Sequence, residues 1–286
     1  WRIVWNTRDD RNLRGAIPAS VPDQGVHVKT VILCGGKGTR IRDVSSEIPK
    51  PMIPIGEFPI VKHIMETYSL YGFQEFILCL GFKGWKIKEY FLNFRAQTAD
   101  ITIDMARNGA VAYSDTAALP PWSVTLAETG LDAMTGCRIK RIQKHVGNHP
   151  FMLTYGDGVG DINVSALVEF HRSHGKLITI TSVRPPARFG ELVVEGNQVT
   201  SFQEKPQAAG GYINGGFFVC EPGVFDYVSD DEACTFEREP LQRLARDGQM
   251  MTYCHDGFWM PMDTYREYAL LNEMWSRGDA PWLRKA

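Results

Sequence analysis

The sequence predicts an α/β protein: a mixed, mostly parallel central sheet with helices on both faces and small β excursions. Three observations carry this expectation. From Val28 onward, short buried-strand runs alternate with segments of helical period, the order expected of a parallel sheet covered on both sides. A glycine-rich turn directly follows the first of these runs, and the later part of the chain turns to closely spaced strand runs with little helix between them. At 286 residues, with 44% apolar and 22% charged side chains, the chain has the bulk for one large core, which excludes disordered, collagen-like and simple repeat classes.

Residues 1–27 show no period, contain Pro18 and Pro22 and begin with Trp1, so they read as an amino-terminal extension without an assigned role. The single domain spans 28–286. Its first strand is 29–34, ending at Gly35, Gly36 and Gly38. Pro59 suits the first turn of a helix that carries Ile60, Ile64, Tyr68 and Tyr71 at helical spacing until Gly72 stops it. A strand at 75–80 and a helix at 85–94 follow, then a strand at 123–127, a basic helix at 137–146, a strand at 151–155 and a helix at 164–174. Four strand-like runs, at 176–183, 190–194, 199–204 and 213–220, predict antiparallel or mixed additions to the sheet. Helices at 236–247 and 264–275 close the pattern.

The longest apolar runs, such as 31–34 and 76–80, fall far short of the roughly 18 residues that a membrane-spanning helix needs. The first residues mix Trp1, Arg2, Trp5, Arg8, Asp9 and Asp10 and lack the apolar stretch of a secretory signal. Cysteines at 34, 79, 137, 220, 234 and 254 never form a Cys-x-x-Cys pair, and four of them lie in apolar strand-like runs. Together these features predict a reduced, cytoplasmic protein without a zinc site or a membrane partner. A net charge of −2 gives no general attraction to nucleic acid, so an anionic ligand must be held by a local cluster.

The first candidate for that cluster is Gly35-Gly36-Lys37-Gly38-Thr39-Arg40. Glycines let the backbone approach a phosphate, and Thr39 and Arg40 can extend the cradle with a hydroxyl and a fork of donors. A Walker A loop is excluded because Gly38, not Ser or Thr, follows Lys37, and a dinucleotide loop is excluded because Ile41 stands where a third glycine belongs. In isolation the segment also suits a surface turn. Pro49-Lys50-Pro51-Met52 comes next, and its prolines predict that Lys50 projects from a stiff extended segment, where a positioned ammonium can stabilise phosphoryl charge. Tyr155-Gly156-Asp157-Gly158 puts an aspartate at the end of a buried strand, the edge where open α/β sheets bind ligands, although an Asp-Gly turn has the same spelling. Asp263, in Pro261-Met262-Asp263-Thr264, reads either as a helix cap or as the second carboxylate of a Mg²⁺ site shared with Asp157. Phe202-Gln203-Glu204-Lys205-Pro206 and Asn214-Gly215-Gly216 add donors, acceptors and a glycine break where a ligand can press on the backbone.

In this order the motifs resemble the sugar-1-phosphate nucleotidyltransferases, from about Val28 to the end of the chain. Thr129-Gly130, Met134-Thr135-Gly136, Arg138-Ile139-Lys140-Arg141 and Phe258-Trp259 narrow the resemblance to the branch that uses CTP and glucose 1-phosphate. The resemblance implies a Rossmann-like nucleotidyltransferase fold and Mg²⁺-assisted transfer of CMP from CTP to α-D-glucose 1-phosphate, giving CDP-glucose and pyrophosphate. It further implies supply of precursors for the 3,6-dideoxyhexoses of O-antigen lipopolysaccharide, and assembly as a homohexamer. By motif matching, Leu33, Gly35, Gly36, Gly38, Thr39, Arg40, Lys50, Thr129, Met134, Arg138 and Gly156 bind the nucleotide, with Arg40 and Lys50 catalytic. Glu204, Lys205, Asn214 and Gly215 bind the sugar phosphate, and Asp157 and Asp263 hold the metal. Arg138 is expected to reach CTP across a subunit boundary. The chain departs from the pattern at Cys137, where glycine is expected, and at Glu47-Ile48, where relatives often supply another lysine. The same motifs suit UTP or dTTP in place of CTP, or a non-catalytic member of the fold that binds nucleotide sugars.

Overall fold

The computed structural model describes residues 28–36, 47–114, 119–185, 191–195, 198–203 and 211–285. The amino-terminal extension 1–27 lies outside them. Strand β1 (Lys29–Leu33) leads to a tight hairpin of β2 (Pro54–Ile55) and β3 (Phe58–Pro59), which turns at Gly56 with φ 61°. Helix α1 (Ile60–Ser69) starts directly after Pro59, and Gly72 at φ 86° turns the chain into β4 (Glu75–Leu80). Then come α2 (Gly84–Leu92), α3 (Phe94–Thr98), a hairpin of β5 (Ile101–Asp104) and β6 (Ala110–Tyr113), and β7 (Ser123–Glu128). Helices α4 (Thr135–Arg141) and α5 (Gln143–Val146) precede β8 (Phe151–Tyr155), β9 (Gly158–Gly160) and α6 (Val164–His174). Next are β10 (Ile178–Val183), β11 (Glu191–Glu195), β12 (Gln198–Gln203) and β13 (Ile213–Cys220). The last elements are α7 (Glu239–Arg246), β14 (Met250–His255), β15 (Trp259–Pro261) and α8 (Tyr265–Ser276).

The central sheet runs β14-β10-β13-β8-β1-β4-β7. Only β13 opposes its neighbours; β1, β4, β7 and β8 are parallel, as are β10 and β14. Successive side chains of a strand leave on opposite faces, and here both faces are apolar. Ile32, Leu78, Met152 and Phe217 join α1, α6 and α8 in one core; Val31, Leu33, Ile77, Leu153 and Phe218 join α4, α5 and α7 in the other. Trp282, fully buried, closes the first core: its indole nitrogen lies 3.3 Å from His63 Nδ1, and Thr67 donates its hydroxyl to the Trp282 carbonyl at 2.9 Å.

Several expected boundaries are corrected by local chemistry. The helix at 85–94 breaks at Asn93, whose amide nitrogen donates to the Glu89 carbonyl at 2.8 Å and competes with the next turn. The basic helix begins two residues earlier, at Thr135, and divides at Ile142. The helix expected from 236 begins only at Glu239, with Pro240 in its first turn. The runs at 190–194 and 199–204 pair with each other as β11 and β12 and stay outside the central sheet. Hairpin β5–β6, the β9–β15 pair and edge strand β14 were not expected from the pattern.

Helix α6 carries a pH-sensitive contact. Asn163 caps its start, and the Thr179 hydroxyl of β10 lies 2.8 Å from His171 Nδ1 and 2.7 Å from His174 Nε2. Burial, with lesser contributions from His174 and Arg172, pushes His171 down to about 4, despite Glu221 lying 3.4 Å away. The unfolded chain then takes up a proton that the folded one refuses, so stability is lost as pH falls from about 6.5 toward 4. At pH 5 this amounts to about 2 kcal/mol. Urea midpoints should show this slope in the wild type and a shallower one in His171→Gln; equal slopes would refute the assignment.

Candidate active site

The chain leaves β1 toward β4 and β7, then returns to place β8 on the other side of β1. The strand order therefore reverses at the β1/β8 boundary, and the carboxyl ends of these strands open a crevice there. Leu33, Cys34 and Gly35 leave one lip; Tyr155, Gly156 and Asp157 leave the other. The Gly156 amide donates to the Leu33 carbonyl at 3.1 Å, and a Cβ on Gly156 would stand 2.8 Å from that oxygen, so only glycine lets the two lips approach.

Lys50 enters from the segment between the strands. Instead of the expected extended segment, it opens a 3₁₀ turn, Lys50–Met52, closed by bonds from Met52 N to Pro49 O and from Ile53 N to Lys50 O. Pro51 fits there because the first amides of a turn have no internal partner. Asp263 enters from the start of α8. The capping role that its sequence context allowed belongs to its neighbour: Thr264 accepts from Glu267 N, while Glu267 accepts from the amides of Asp263 and Thr264 at 2.8 Å. The Asp263 carboxylate is thereby left to reach into the crevice.

The two aspartates, 106 residues apart in sequence, converge on one ammonium. Lys50 Nζ lies 2.6 Å from Asp157 Oδ2 and 2.5 Å from Asp263 Oδ1. Burial pushes the Lys50 pKa down, but Asp157 and then Asp263 outweigh it and the net shift is upward, so the ammonium stays charged. A pair of carboxylates that already closes on one positive charge has hard oxygen donors for Mg²⁺. Among the described residues no cluster of three potential ligands exists, so the ion would draw its remaining ligands from phosphate oxygens and water, as Mg²⁺ commonly does.

Two cavities meet at this triad. One, of about 490 Å³, is lined by Leu33, Gly35, Gly36, Lys50, Met134, Arg138 and Gly156 from the expected nucleotide set, together with Leu131, Asp132, Ala133 and Thr135. The other, of about 250 Å³, is lined by Gly215 from the expected sugar set, with Asp263, Thr154, Gly216 and Trp259. Tyr155 and Asp157 line both. Asn214 is not among the residues lining the second cavity; its side chain lies 3.3 Å from the Tyr155 hydroxyl. Thr129 is not part of the wall: it is buried, and its hydroxyl donates to the Leu80 carbonyl at 2.6 Å. Gly38, Thr39, Arg40, Glu204 and Lys205 lie outside the described residues.

Arg138 is used inside its own chain. Only 4% exposed, it donates to the carbonyls of Leu80, Gly130, Gly35 and Leu131 and to the Thr129 hydroxyl, at 2.7–3.3 Å. It thus ties together the ends of β1, β4 and β7 beneath the larger cavity. Gly35 and Gly81 sandwich it: a Cβ on either would fall 2.1 Å or 2.4 Å from guanidinium atoms. Gly81→Ala should therefore cost about 1–3 kcal/mol in urea unfolding and raise the nucleotide KM. A variant as stable as the wild type would show that the guanidinium is not fixed.

Tyr155, Thr135 and Trp259 stand inside the sequence motifs, but nothing in those motifs assigns them a role. The signal for Trp259 was its place two residues before Pro261 in the segment that carries Asp263.

The sequence profile of the nucleotidyl transferase family matches residues 29–274. The glucose-1-phosphate cytidylyltransferase of Salmonella typhi is 47% identical over 256 residues, covering 89% of this chain and 98% of that protein. A probable glucose-1-phosphate cytidylyltransferase of Bacillus subtilis is 44% identical over 89% of this chain and 99% of its own length. Among solved structures, a UTP-bound UGPase from Acinetobacter baumannii superposes with a TM-score of 0.63 over 90% of this chain and 95% of its own, at 15% identity, which speaks to the fold alone.

Proposed function

Because the chain belongs to the nucleotidyl transferase family, we propose that it transfers the CMP moiety of CTP to glucose 1-phosphate, forming CDP-glucose and releasing pyrophosphate. The observation that carries this reading is the meeting of Lys50, Asp157 and Asp263 between two cavities, one sized for a nucleotide and one for a hexose phosphate.

A phosphate oxygen of the sugar phosphate attacks the α-phosphorus of CTP; the new P–O bond forms as the bond to the β-phosphate oxygen breaks. A phosphomonoester with a second pKa of about 6 is already a dianion at neutral pH, so no side chain need remove a proton. The protein's task is to overcome the repulsion between two polyanions and to hold them in line. Gly35 and Gly36 leave the nucleotide phosphates access to the backbone, and Gly156 keeps the crevice narrow. Lys50 brings its ammonium to the phosphates, while Asp157 and Asp263 would hold Mg²⁺. That ion, when bound, supplies charge neutralisation to the transferring and leaving phosphate oxygens. Arg138 keeps the floor of the nucleotide cavity in place.

The base is tested by pyrophosphate release with CTP, UTP, dTTP and GTP supplied separately with glucose 1-phosphate. CTP alone should support turnover at low concentration; a preference for UTP or dTTP would replace the cytidylyl assignment. Self-association belongs to the same proposal and is supported by Ile101, Ile103 and Val111, exposed on the β5–β6 hairpin. Light scattering of the purified protein at one monomer mass would remove it. The same reading makes the protein an enzyme of the cytoplasm that supplies a polysaccharide precursor. No helix among the described residues is long and apolar enough to cross a membrane.

A further inference from the structure

The two cavities are joined by a chain of hydrogen bonds with a fixed direction. Glu237, in the loop before α7, accepts from the Tyr155 hydroxyl at 2.7 Å through one oxygen and from the Thr135 hydroxyl at 2.5 Å through the other. Both distances are those of bonds assisted by a charged carboxylate. Thr135 lines the nucleotide cavity and its oxygen accepts from the Phe236 amide at 2.9 Å. On the other side, Asn214 donates from Nδ2 to the Tyr155 oxygen at 3.3 Å, and the Gly216 amide donates to Asn214 Oδ1 at 2.8 Å.

A carboxylate can only accept, so Tyr155 must spend its proton on Glu237, leaving its oxygen to accept from Asn214. The Gly216 amide can only donate, so the Asn214 carbonyl must face it. These two ends leave the Asn214 amide one orientation. The glycine turn beside it is held as well: Trp259 donates to the Gly215 carbonyl at 2.7 Å, and Gly216, at φ 78°, lies so close to the Tyr155 ring that a Cβ would stand 2.4 Å from it.

We propose that Glu237 is a positioning residue for the sugar-phosphate cavity, acting through Tyr155 to fix the Asn214 amide and the Gly215-Gly216 turn. The identity of the two occupants rests on the cytidylyltransferase reading; the hydrogen-bonded chain does not. The substitution Glu237→Ala removes the acceptor of the phenol proton, which is then free to turn toward Asn214 and set that amide against Gly216.

The test compares Glu237→Ala, Tyr155→Phe and the double variant with the wild type. Each single variant should raise the glucose 1-phosphate KM about tenfold and leave the CTP KM within about twofold, the scale of one lost hydrogen bond. The double variant should be no worse than either single one, because the residues act in series. Hydrogen exchange on the ligand-free proteins should show the Gly216 amide losing protection in Glu237→Ala. An unchanged sugar-phosphate KM, an equal rise in both KM values, additive losses or an equally protected Gly216 would each overturn the proposal. A wild type that makes no CDP-glucose would defeat the reading of function instead, and the exchange measurement would then decide this inference alone.

Discussion

Asp157→Asn should lower turnover about a thousandfold, roughly 4 kcal/mol of transition-state stabilisation, while the urea midpoint should stay close to that of the wild type. The substitution keeps the shape of the side chain and removes only its charge. Lys50 retains Asp263 at 2.5 Å, so the ammonium is not left without a counter-charge and the fold has no reason to yield. The nucleotide KM should move far less than kcat, because the lost interaction belongs to the charge that develops during transfer. Steady-state assays over a range of Mg²⁺ concentrations, with calorimetry of Mg²⁺ binding to the nucleotide complex, check this expectation. Near-normal turnover of purified Asp157→Asn would remove the carboxylate from the reaction.

Lys50→Met is the second large effect, with kcat falling about a hundredfold to a thousandfold through loss of the cation beside the phosphates. It also separates two roles in the absence of substrate. With the ammonium gone, Asp157 and Asp263 face each other as like charges, and ionising both becomes costly. A divalent ion then gains more from entering than it does in the wild type, where it must first displace Lys50. Thermal unfolding of the nucleotide-free proteins should therefore show Mg²⁺ raising the midpoint of Lys50→Met by more than that of the wild type. Equal shifts would mean that the ion does not sit where the ammonium now does.

Local pattern was enough for the elements that form the floor of the site. The apolar runs that became β1, β4 and β8 and the helical periods of α1 and α6 are set by nearest neighbours, and their limits in the structure match the expected ones to within a few residues. Strand β14 was missed because Met250–His255 lies at the sheet edge, where half-exposed side chains weaken the apolar signal. The β9–β15 pair could not be read locally, since two three-residue strands about a hundred residues apart exist only because the fold brings them together. At the site, residue types and spacing pointed to Lys50, Asp157 and Asp263, but not to which of Asp263 and Thr264 would cap α8; that depended on Glu267. Arg138 was legible as a cation near the nucleotide, whereas its use on four backbone carbonyls follows from glycines at 35 and 81 that no linear motif joins to it.

The seat of Trp282 sets an order of events during synthesis. Helix α1 emerges from the ribosome more than two hundred residues ahead of the indole that fills the space over His63 and Thr67. Until residue 282 is out, the nascent chain carries an open apolar socket with a buried-type histidine at its base. Such a chain is a natural client for a holding chaperone, and stalled or prematurely ended products stopping just short of this tryptophan should be cleared by proteases rather than accumulate.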